Sequence, residues 1–462
     1  MTLAQELAEF AAGCRDKGVP AAVRADVPHR ILDIVGLALA AYPGSPDGAA
    51  AAVARSAQRW GGHPRATAIG SGAALPAPSA ALVNGTLAHA LDYDDTHLPS
   101  VLHPSASVVP AALAVAEETQ APYDRLIAAV AAGIEVTNRV GLGGFLPQTG
   151  VNVFFDRGQH ATSICGTIGA AVAAAVLYDL AAPEIAHAIA VAASMGAGII
   201  EANRTGGSVK QAHCGWAAHA GVSAAAFAAD GLTGPPTALE GRFGFYAAHT
   251  GAFDADAVVA GLGERWELLR TVYKPYPSNH FTHPGIDCAL ALRAAGLDPA
   301  AIDAVELAVA GPVLRTIAEP AAEKAHPRSA YHAKFSGPYT VAAALLGGGG
   351  LGLALSDFEH LDEARLALAA RVTCVADERA SALFPHAFAA ALTVTTVDGR
   401  QLTHRVDSSR GGPEHPLTAD ELTTKFATNA SRTLPAAQVR SLQTAVLNGA
   451  AAATILRLAQ SP

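Results

Sequence analysis

The residues best suited to chemistry in this sequence are concentrated in one stretch of 15 residues, from His89 to His103. Three carboxylates and three imidazoles fall within it, although Asp, Glu, Lys and Arg make up only 15% of the chain. Such a stretch could ligate a metal, form structural ion pairs or transfer protons. Its spacing matches neither a His-Glu-x-x-His zinc motif nor an EF-hand loop, so we predict no metal site. For proton transfer, His103 stands at a loop-to-helix junction, where Asp92 or Asp95 could orient its ring.

Basic and protonatable side chains recur at three later junctions along the chain. They are His160; Lys210 and His213; and Lys274, His280 and His283. Each has a structural alternative: a histidine satisfied in the core, a lysine anchored in solvent, or a stiff linker. Lys210, however, lies between a Gly-Gly turn and an apolar helix, a position that can desolvate its ammonium group and shift its pKa. The helix start at Pro104-Ser105 would also attract an anion through its free N–H groups and its dipole.

Together these groups suit the stabilisation of negative charge. Chemistry next to a carboxylate needs a base that removes a proton, or a carboxylate that leaves as CO2, and both routes create an enolate-like anion. Fixed positive charge must then stabilise that anion. Ser/His/Asp hydrolysis and dinucleotide binding are disfavoured, because no G-x-S-x-G elbow is present and the glycines at 141–144 lack a preceding strand. We therefore predict an enzyme without cofactor or metal that acts on a small carboxylic acid.

Composition narrows the partners and the compartment. The net charge is −9, from 31 Lys and Arg against 40 Asp and Glu, and no basic run occurs, so nucleic acid is not an expected partner. The five cysteines include no C-x-x-C pair, which argues against a disulfide framework and favours a reducing cytoplasm. The first ten residues carry acids instead of the basic-then-apolar order of a signal peptide. The longest apolar stretches are alanine-rich and interrupted, so no membrane span is expected.

Alanine-rich helices, punctuated by glycine and proline, are predicted from the N-terminus to about residue 263. The clearest cover Pro28–Ala41, Ser79–Leu91, Ser105–Glu118, Tyr123–Val140, Ile164–Leu177, Ala182–Ala197 and Ala212–Asp230. Because Ala and Gly let helix axes approach closely, we expect a tightly packed helical array. We also expect the scattered imidazole and ammonium groups to converge around one hollow.

The pattern changes near residue 268. Strands are predicted at Val305–Ala310, Ala370–Val375, Ala391–Val397 and Leu402–Val406, with helices at Gly285–Ala295 and Gly337–Leu346. The last two strands flank Asp398-Gly399, which indicates a two-residue hairpin turn. Residues 419–458 return to helical periodicity. We therefore predict a mainly α protein: a large all-helical domain from residues 1–267 and 409–462, and a smaller α+β lid domain, residues 268–408, inserted before the C-terminal helices.

Four separated motifs resemble those of one known family. They are HALDYDDTH and HPSASVVPA within His89–Ala111, RGQHATSICGTIGAA at Arg157–Ala171, GGSVKQAHCGWAAHAG at Gly206–Gly221, and KPYPSNHFTHPGID at Lys274–Asp287. In order and spacing the chain resembles the MmgE/PrpD family, which includes 2-methylcitrate dehydratase, cis-aconitate decarboxylase and iminodisuccinate epimerase. The segments Ala238–Tyr246 and His332–Tyr339 are similar as well, so the resemblance covers essentially the whole chain.

The resemblance implies a large helical domain, a smaller α+β lid, a homodimer, and no cofactor or metal. It implies active-site positions at Asp92, Thr96, His103, His160, Lys210 and Lys274. One departure concerns Asn279, which occupies the position where decarboxylase-like members carry a histidine, with His280 as its neighbour. The acid-containing segment usual in the dehydratases is also missing here.

On these grounds we predict a lyase that abstracts a proton α to a carboxylate of a small di- or tricarboxylic acid. A hydro-lyase step like that of 2-methylcitrate dehydratase is the leading hypothesis, with decarboxylation or epimerisation through the same carbanion as alternatives. A non-catalytic carboxylate-binding protein is the alternative from another class. The proton-transfer pair would be His103 and His160, with Asp92 orienting a ring. Lys210 and Lys274 would clamp substrate carboxylates, and His280 would also bind the substrate. Thr96 would donate a hydrogen bond to the substrate or hold the loop.

Overall fold

The computed structural model describes residues 1–42, 48–146, 151–202 and 207–462. Gly206, the first residue of the third motif, lies outside the described residues. The protein is 58% helical and 9% strand, which confirms the predicted mainly α class with a small α+β part. The chain forms two compact units: residues 1–271 with 426–462, and residues 272–425.

The first unit is built almost entirely of helices, and it includes every helix predicted in the N-terminal part of the chain. Its helices are α1 (Leu3–Lys17), α2 (Ala21–Ala41), α3 (Ala49–Trp60), α4 (Ala77–His89), α5 (Ser105–Thr119), α6 (Tyr123–Gly143), α7 (Val153–Asp156), α8 (Ala161–Leu177), α9 (Ala182–Ala193), α10 (Val209–Ala229), α11 (Phe245–His249) and α12 (Ala255–Val259). Two-residue strands lie between them: β1 (Ala66–Thr67), β2 (Ala74–Leu75), β3 (Thr96–His97), β4 (Phe145–Leu146) and β5 (Val151–Asn152).

Helix α2 begins earlier than predicted. Its first residue is Ala21, and Pro28 lies inside the helix instead of near its start. Proline removes one backbone hydrogen bond there and normally disfavours a helix interior. The side chains of Val23 and Val27, one and two turns into the helix, are fully buried, and this burial favours continuing the helix through the proline.

Glycine allows the central helices of the first unit to touch backbone to backbone. A β-carbon added at Gly169 of α8 would lie 1.8 Å from Thr137 Oγ1 of α6, and one added at Gly215 of α10 would lie 2.2 Å from the Leu82 carbonyl oxygen of α4. Both distances are far below van der Waals contact, so only glycine fits. The close packing expected from the Ala- and Gly-rich sequence is therefore found between α4, α6, α8 and α10.

Helix α6 has the length and hydropathy of a membrane-crossing segment, but 94% of its most apolar window is buried inside the protein. It also carries the buried pair Glu135 and Arg139, whose Oε1 and Nε lie 2.6 Å apart. Glu135 accepts hydrogen bonds from the backbone N–H groups of Glu267 and Leu268. These features make α6 a core helix of the first unit. Through Glu135, its polar pair also holds residues 267 and 268, just before the chain leaves this unit after residue 271.

The C-terminal residues from Phe426 onward belong to the first unit. They include the end of α21 (Ala419–Ala430), then α22 (Ala436–Leu447) and α23 (Ala452–Leu458). Thr433 Oγ1 donates to the Leu39 carbonyl oxygen at 2.6 Å, and the Tyr123 hydroxyl donates to the Val446 carbonyl oxygen at 2.6 Å. Both ends of the chain thus share one helical core.

The second unit contains one four-stranded sheet and short helices. Its strands are β7 (Ile302–Val309), β8 (Val372–Ala376), β9 (Ala390–Thr396) and β10 (Gln401–Val406), and its helices are α13 (His283–Ala294), α14 (Leu314–Ile317), α15 (Ala321–Ala325), α16 (Ala330–Ala333), α17 (Gly337–Leu346), α18 (Ser356–Glu359), α19 (Glu363–Ala369) and α20 (Glu378–Leu383). The strand order is β10-β9-β7-β8, with β7 and β8 parallel and the other pairs antiparallel. Helices α13 and α17 pack on this sheet. A two-residue strand, β6 (Thr271–Val272), lies where the chain leaves the first unit.

The hairpin between β9 and β10 is present, but its turn is not the predicted two-residue type. Thr395 pairs with Gln401, and the Thr396 N–H donates to the Arg400 carbonyl oxygen, which leaves a three-residue loop. Gly399 adopts a left-handed φ of 82° while Asp398 does not, so only the glycine supplies the reversal. Three-residue hairpin loops commonly end in such a left-handed residue, and the Asp-Gly pair is compatible with both loop lengths.

Residues after β10 stay in the second unit for longer than the predicted boundary at residue 408. The Tyr273 N–H donates to the Gly411 carbonyl oxygen at 3.0 Å, and the Tyr273 side chain packs with Leu417 and Leu422. The return to the first unit lies between residues 425 and 426, inside α21. A helix that crosses the boundary carries no turn signal at that point, which is why composition alone misplaces it.

Replacing Gly215 by alanine should lower the free energy of unfolding by about 2 kcal/mol, because the new β-carbon meets a backbone oxygen that cannot move aside. Thermal or denaturant unfolding of the purified variant measures this loss. The control is Gly13→Ala in α1, where an added β-carbon finds no atom within 4 Å and alanine should stabilise the helix by about 0.5–1 kcal/mol. Equal unfolding midpoints for the two variants would contradict this account of helix packing.

Candidate active site

The loop between α4 and α5 begins with a histidine–aspartate contact. His89 is the last residue of α4, and its Nδ1 lies 2.8 Å from Asp94 Oδ2. An ionised carboxylate only accepts hydrogen bonds, so the proton of this contact is on Nδ1. Asp92, between the two, adopts a left-handed φ of 53°, which Asp tolerates better than most residues. The turn at Asp92 brings Asp94 back to the end of α4, and both partners of the contact are buried.

The same loop is anchored by a buried ion pair. Arg30 of α2 places Nη1 2.8 Å from Asp95 Oδ2 and donates through Nη2 to the Thr271 carbonyl oxygen at 2.7 Å. Asp95 also accepts from Ser105, through the hydroxyl at 2.5 Å and the backbone N–H at 3.2 Å. Burial raises the pKa of Asp95, and the neighbouring Arg30 charge partly offsets that shift. The anion at the start of α5 is therefore the carboxylate of Asp95, where the sequence predicted a site for an external anion.

His103 is oriented by backbone and hydroxyl groups. Its Nδ1 lies 2.6 Å from the Asp95 carbonyl oxygen and 3.2 Å from Thr96 Oγ1. A carbonyl oxygen only accepts, so Nδ1 carries a proton and the ring exchanges protons through Nε2. The His103 backbone N–H donates to Thr162 Oγ1 at 3.2 Å, which ties the residue to α8. Asp95 therefore orients this ring through its backbone carbonyl oxygen, where the sequence predicted a carboxylate of Asp92 or Asp95.

Asp92 contacts an ammonium group. Its Oδ2 lies 3.3 Å from Nζ of Lys210, the second residue of α10, and both side chains are largely buried. The pair brings one negative and one positive group to the same place, so the carboxylate can hold the lysine side chain in position. A buried ammonium group of this kind is a fixed positive charge for an anionic ligand.

His160 and His213 face each other directly. Their Nδ1 atoms lie 2.8 Å apart, so one ring donates and the other must accept. This geometry forbids two imidazolium rings, because two N–H groups would then meet. Burial lowers the pKa of His160 well below its usual range, and the charges of His89 and Lys210 add to the shift. Burial and the same two charges lower the pKa of His213 to about 4.

These contacts bring together the five predicted site residues of the first unit: Asp92, Thr96, His103, His160 and Lys210. The ring centroid of His89 lies 5.4 Å from that of His103 and 5.7 Å from that of His160, and Lys210 is close enough to His160 to act on its pKa. Asp92 is joined to the cluster through Lys210. We call His89, His103, His160, His213 and Lys210 the imidazole–lysine cluster.

One set of atoms in the cluster has the spacing of metal ligands. A ligand atom from each of His89, Asp94 and Cys214 lies within 4.8 Å of the others. The chemistry of the donors is unfavourable, however. Burial raises the pKa of the Cys214 thiol well above its usual range, and the ammonium group of Lys210 is near enough to influence that thiol. A site that already contains an ammonium group repels a cation, so the residues suit an anion better than a metal.

The remaining predicted residues, Lys274 and His280, belong to the second unit and are buried there. His280 packs against His283, with ring centroids 4.6 Å apart, and against the edge of Phe388 at 5.3 Å. Asn279 accepts a hydrogen bond from the Phe281 N–H at 3.1 Å and so begins a short 3₁₀ helix. Asn279, at the position where the resemblance led us to look for a histidine, thus caps this 3₁₀ helix.

Sequence reasoning named neither Asp94 as the partner of His89 nor Arg30 as the anchor of Asp95. The sequence gives little signal for Arg30, since α2 also carries Arg24, Asp26, His29 and Asp33. His97, in the same loop, makes two structural contacts. Its Nδ1 lies 2.6 Å from Ser100 Oγ, and its Nε2 lies 3.1 Å from Glu267 Oε2. Burial lowers the pKa of His97 despite this carboxylate.

Comparison with known proteins points to one family. The MmgE/PrpD N-terminal domain matches residues 5–257 and the MmgE/PrpD C-terminal domain matches residues 276–449. Cis-aconitate decarboxylase of Homo sapiens is 31% identical over 386 residues, which cover 81% of this chain and 77% of the relative. The mouse protein of the same name is 30% identical over 384 residues, covering 80% and 75%. The cis-aconitate decarboxylase-like protein oryM of Aspergillus oryzae is 25% identical over 469 residues, covering 96% and 93%.

Acid should destabilise the fold through His213. Its pKa falls from 6.5 to about 4 on folding, so the folded state binds fewer protons between these values and stability is lost as the pH falls through that window. The thermal unfolding midpoint, measured from pH 7.5 to pH 5, should therefore drop less in His213→Asn than in the wild type. Replacement of the exposed His63 by asparagine is the control and should leave the wild-type pH slope unchanged. The same slope in all three proteins would refute the assignment.

Proposed function

This chain belongs to the MmgE/PrpD family, and on that premise we propose that it is a carboxy-lyase that releases CO2 from a small tricarboxylic acid of the cis-aconitate type. The protein is an enzyme of the lyase class, as its relatives named cis-aconitate decarboxylase indicate. The identity of the acid is what we propose. It rests on the chemistry of the imidazole–lysine cluster together with those relatives.

The observation that carries the proposal is the convergence of His103, His160 and Lys210 in one largely buried place. Loss of CO2 leaves an electron pair on the substrate, and in water that carbanion would be stabilised only weakly. A positioned ammonium group and hydrogen-bond donors, working in a region of low dielectric, lower the energy of such a charge strongly. The cluster offers these groups, and its two neutral imidazoles leave room for added negative charge.

Roles follow from the contacts of each residue. Lys210, held by Asp92, would bind a substrate carboxylate and stabilise the negative charge that develops next to it. His103 and His160 would be the proton-transfer groups, and Nε2 is the atom through which His103 would act, since its Nδ1 is bonded to the Asp95 carbonyl oxygen. Thr96 Oγ1 contacts the same Nδ1 atom and would help to keep the ring in the reactive orientation.

Other parts of the prediction stay proposals. Lys274 and His280 would provide further contacts to substrate carboxylates. We propose a homodimer that works in the cytoplasm without cofactor or metal, with neither nucleic acid nor membrane as a partner. The chain as a whole carries a net charge of −9, which does not attract an anionic substrate. The attraction must therefore come from the positive charge of the imidazole–lysine cluster.

A second candidate, dehydration of a 2-methylcitrate-like acid, is favoured by one observation. Asn279 stands where decarboxylase-like members carry a histidine, and its side chain caps a 3₁₀ helix. If that histidine is needed for decarboxylation, this chain would instead expel water from the same stabilised carbanion. NMR of the enzyme in deuterated water with cis-aconitate, 2-methylcitrate and iminodisuccinate separates the candidates. Loss of a carboxyl carbon indicates decarboxylation, a new alkene indicates dehydration, and deuterium exchange without net loss indicates epimerisation.

Replacing Lys210 by alanine should reduce kcat/KM by roughly 10²–10³-fold, because one fixed charge next to the developing carbanion is lost. CO2 release from cis-aconitate, or turnover of whichever acid the NMR panel identifies, measures the loss. Lys17→Ala is the control, since this lysine is exposed at the end of α1, and it should retain wild-type kinetics. An unchanged kcat/KM in a folded Lys210→Ala protein would exclude the clamp.

The two candidates also differ in their response to a histidine at position 279. Asn279→His should raise CO2 release from cis-aconitate by about tenfold or more if the wild type is a hydro-lyase that lacks this group. Asn279→Asp is the matched control, because it preserves the acceptor that caps the 3₁₀ helix. If the wild type already decarboxylates efficiently and the histidine variant is slower, the carboxy-lyase proposal stands and the second candidate fails.

A further inference from the structure

We propose that His89 and Asp94 form a proton store that recharges the proton-transfer groups after each release of CO2. This inference rests on the carboxy-lyase function proposed above and adds a residue pair to which that proposal gives no role. The pair holds a proton inside the protein, next to His103 and His160, and replaces it from solvent between turnovers.

The geometry of the pair suits a stored proton. Asp94 fixes one proton of His89 on Nδ1, at 2.8 Å, and so leaves Nε2 as the site for a second. In the part of the chain that the structure describes, His89 Nε2 is buried and makes no hydrogen bond. Asp94 therefore holds the ring at Nδ1, and Nε2 is left for proton exchange.

Two further features place negative charge next to the ring of His89. It is the last residue of α4, where the helix dipole presents partial negative charge and favours a cation. The Asp94 carboxylate adds a full negative charge in contact with the ring. On α10, Lys210 and His213 face His89 and oppose a positive charge on its ring. The thiol of Cys214, on the same helix, is uncharged.

The other carboxylates near the ring already have cationic partners. From the loop after α4, Asp92 is neutralised by Lys210, and Asp95 is neutralised by Arg30, so Asp94 is the carboxylate in contact with His89. His160, before α8, is paired with His213 through two Nδ1 atoms, and that pair cannot take up two protons. Of these rings, His89 therefore combines a carboxylate partner with an exchangeable edge.

Proton transfer from His89 is short. The ring centroid of His89 lies 5.4 Å from that of His103 and 5.7 Å from that of His160, close enough for a proton to pass through one intervening water molecule. In the step itself, the bond from carbon to the departing carboxylate breaks and its electron pair stays on the substrate. Nε2–H of His103 then protonates that carbon, and CO2 leaves.

The proton stored on His89 replaces the one that His103 gives to the substrate. After product formation His103 is neutral, and the proton on His89 Nε2 passes to it, which leaves neutral His89 bonded to Asp94. Water or hydronium then returns one proton to His89, so each CO2 released consumes one proton from solvent. No oxidant, reductant or metal is needed.

Two variants test the pair through kinetics. His89→Gln should lower kcat for CO2 release from cis-aconitate by roughly 10²-fold with KM changed by less than about threefold, since the store does not bind substrate. Asp94→Asn keeps the shape but loses the charge, so the alkaline fall of kcat should begin about one pH unit lower than in the wild type. His97→Gln is the matched control: it removes another buried imidazole–carboxylate contact, to Glu267, and should lower the unfolding midpoint without moving the alkaline limb.

A titration of the substrate-free protein separates this proposal from the function on which it rests. Histidine labelled with carbon-13 at Cε1 reports protonation of each ring, and the His89 signal is identified by its absence in His89→Gln. The store is supported if that signal titrates at lower pH in Asp94→Asn than in the wild type, whatever the substrate is. It is overturned if the signal is unaffected by Asp94→Asn, or if His89→Gln retains wild-type kcat. Failure of the wild type to release CO2 would refute the carboxy-lyase proposal instead.

Discussion

The ion pair between Arg30 and Asp95 is the contact on which the candidate site depends. It is buried, it reaches from α2 to the loop between α4 and α5, and Ser105 completes it at the start of α5. A buried charge left without its partner typically costs 3–5 kcal/mol, so this pair holds the loop strongly. The neighbouring residue Asp94 and the ring of His103, which bonds to the Asp95 backbone, take their positions from it.

Around that anchor the protein collects groups that would repel one another if all were charged. His160 and His213 avoid this by sharing one hydrogen bond, and burial keeps both largely neutral. Lys210 keeps its position beside Asp92. The imidazole–lysine cluster is poorly stabilised by itself, and an added anion would stabilise it. This is the property expected of a site that binds a polycarboxylate and stabilises further negative charge. Stability and function are therefore opposed at this place.

Close helix packing is what allows such a cluster to form. His89, His160 and Lys210 lie at the ends of α4, α8 and α10, and these helices approach each other at glycines such as Gly215 and Gly221. Larger residues would separate the axes and move the three side chains apart. The alanine- and glycine-rich composition thus has a functional consequence, since it sets the distance between groups that come from separate parts of the chain.

The sequence alone predicts the helices, the strands of the second unit and the junctions that carry His103, His160 and Lys210, because periodicity, caps and turn residues are local signals. It could not determine partners. Asp92 was expected to orient an imidazole and contacts Lys210, while Asp94 contacts His89. The contact between Asp92 and Lys210 depends on which helix ends meet, because 118 residues of sequence separate the two. Asp94 reaches His89 through the left-handed turn at Asp92, which no glycine at that position indicates. Only the tertiary structure could therefore assign each charge its neighbour.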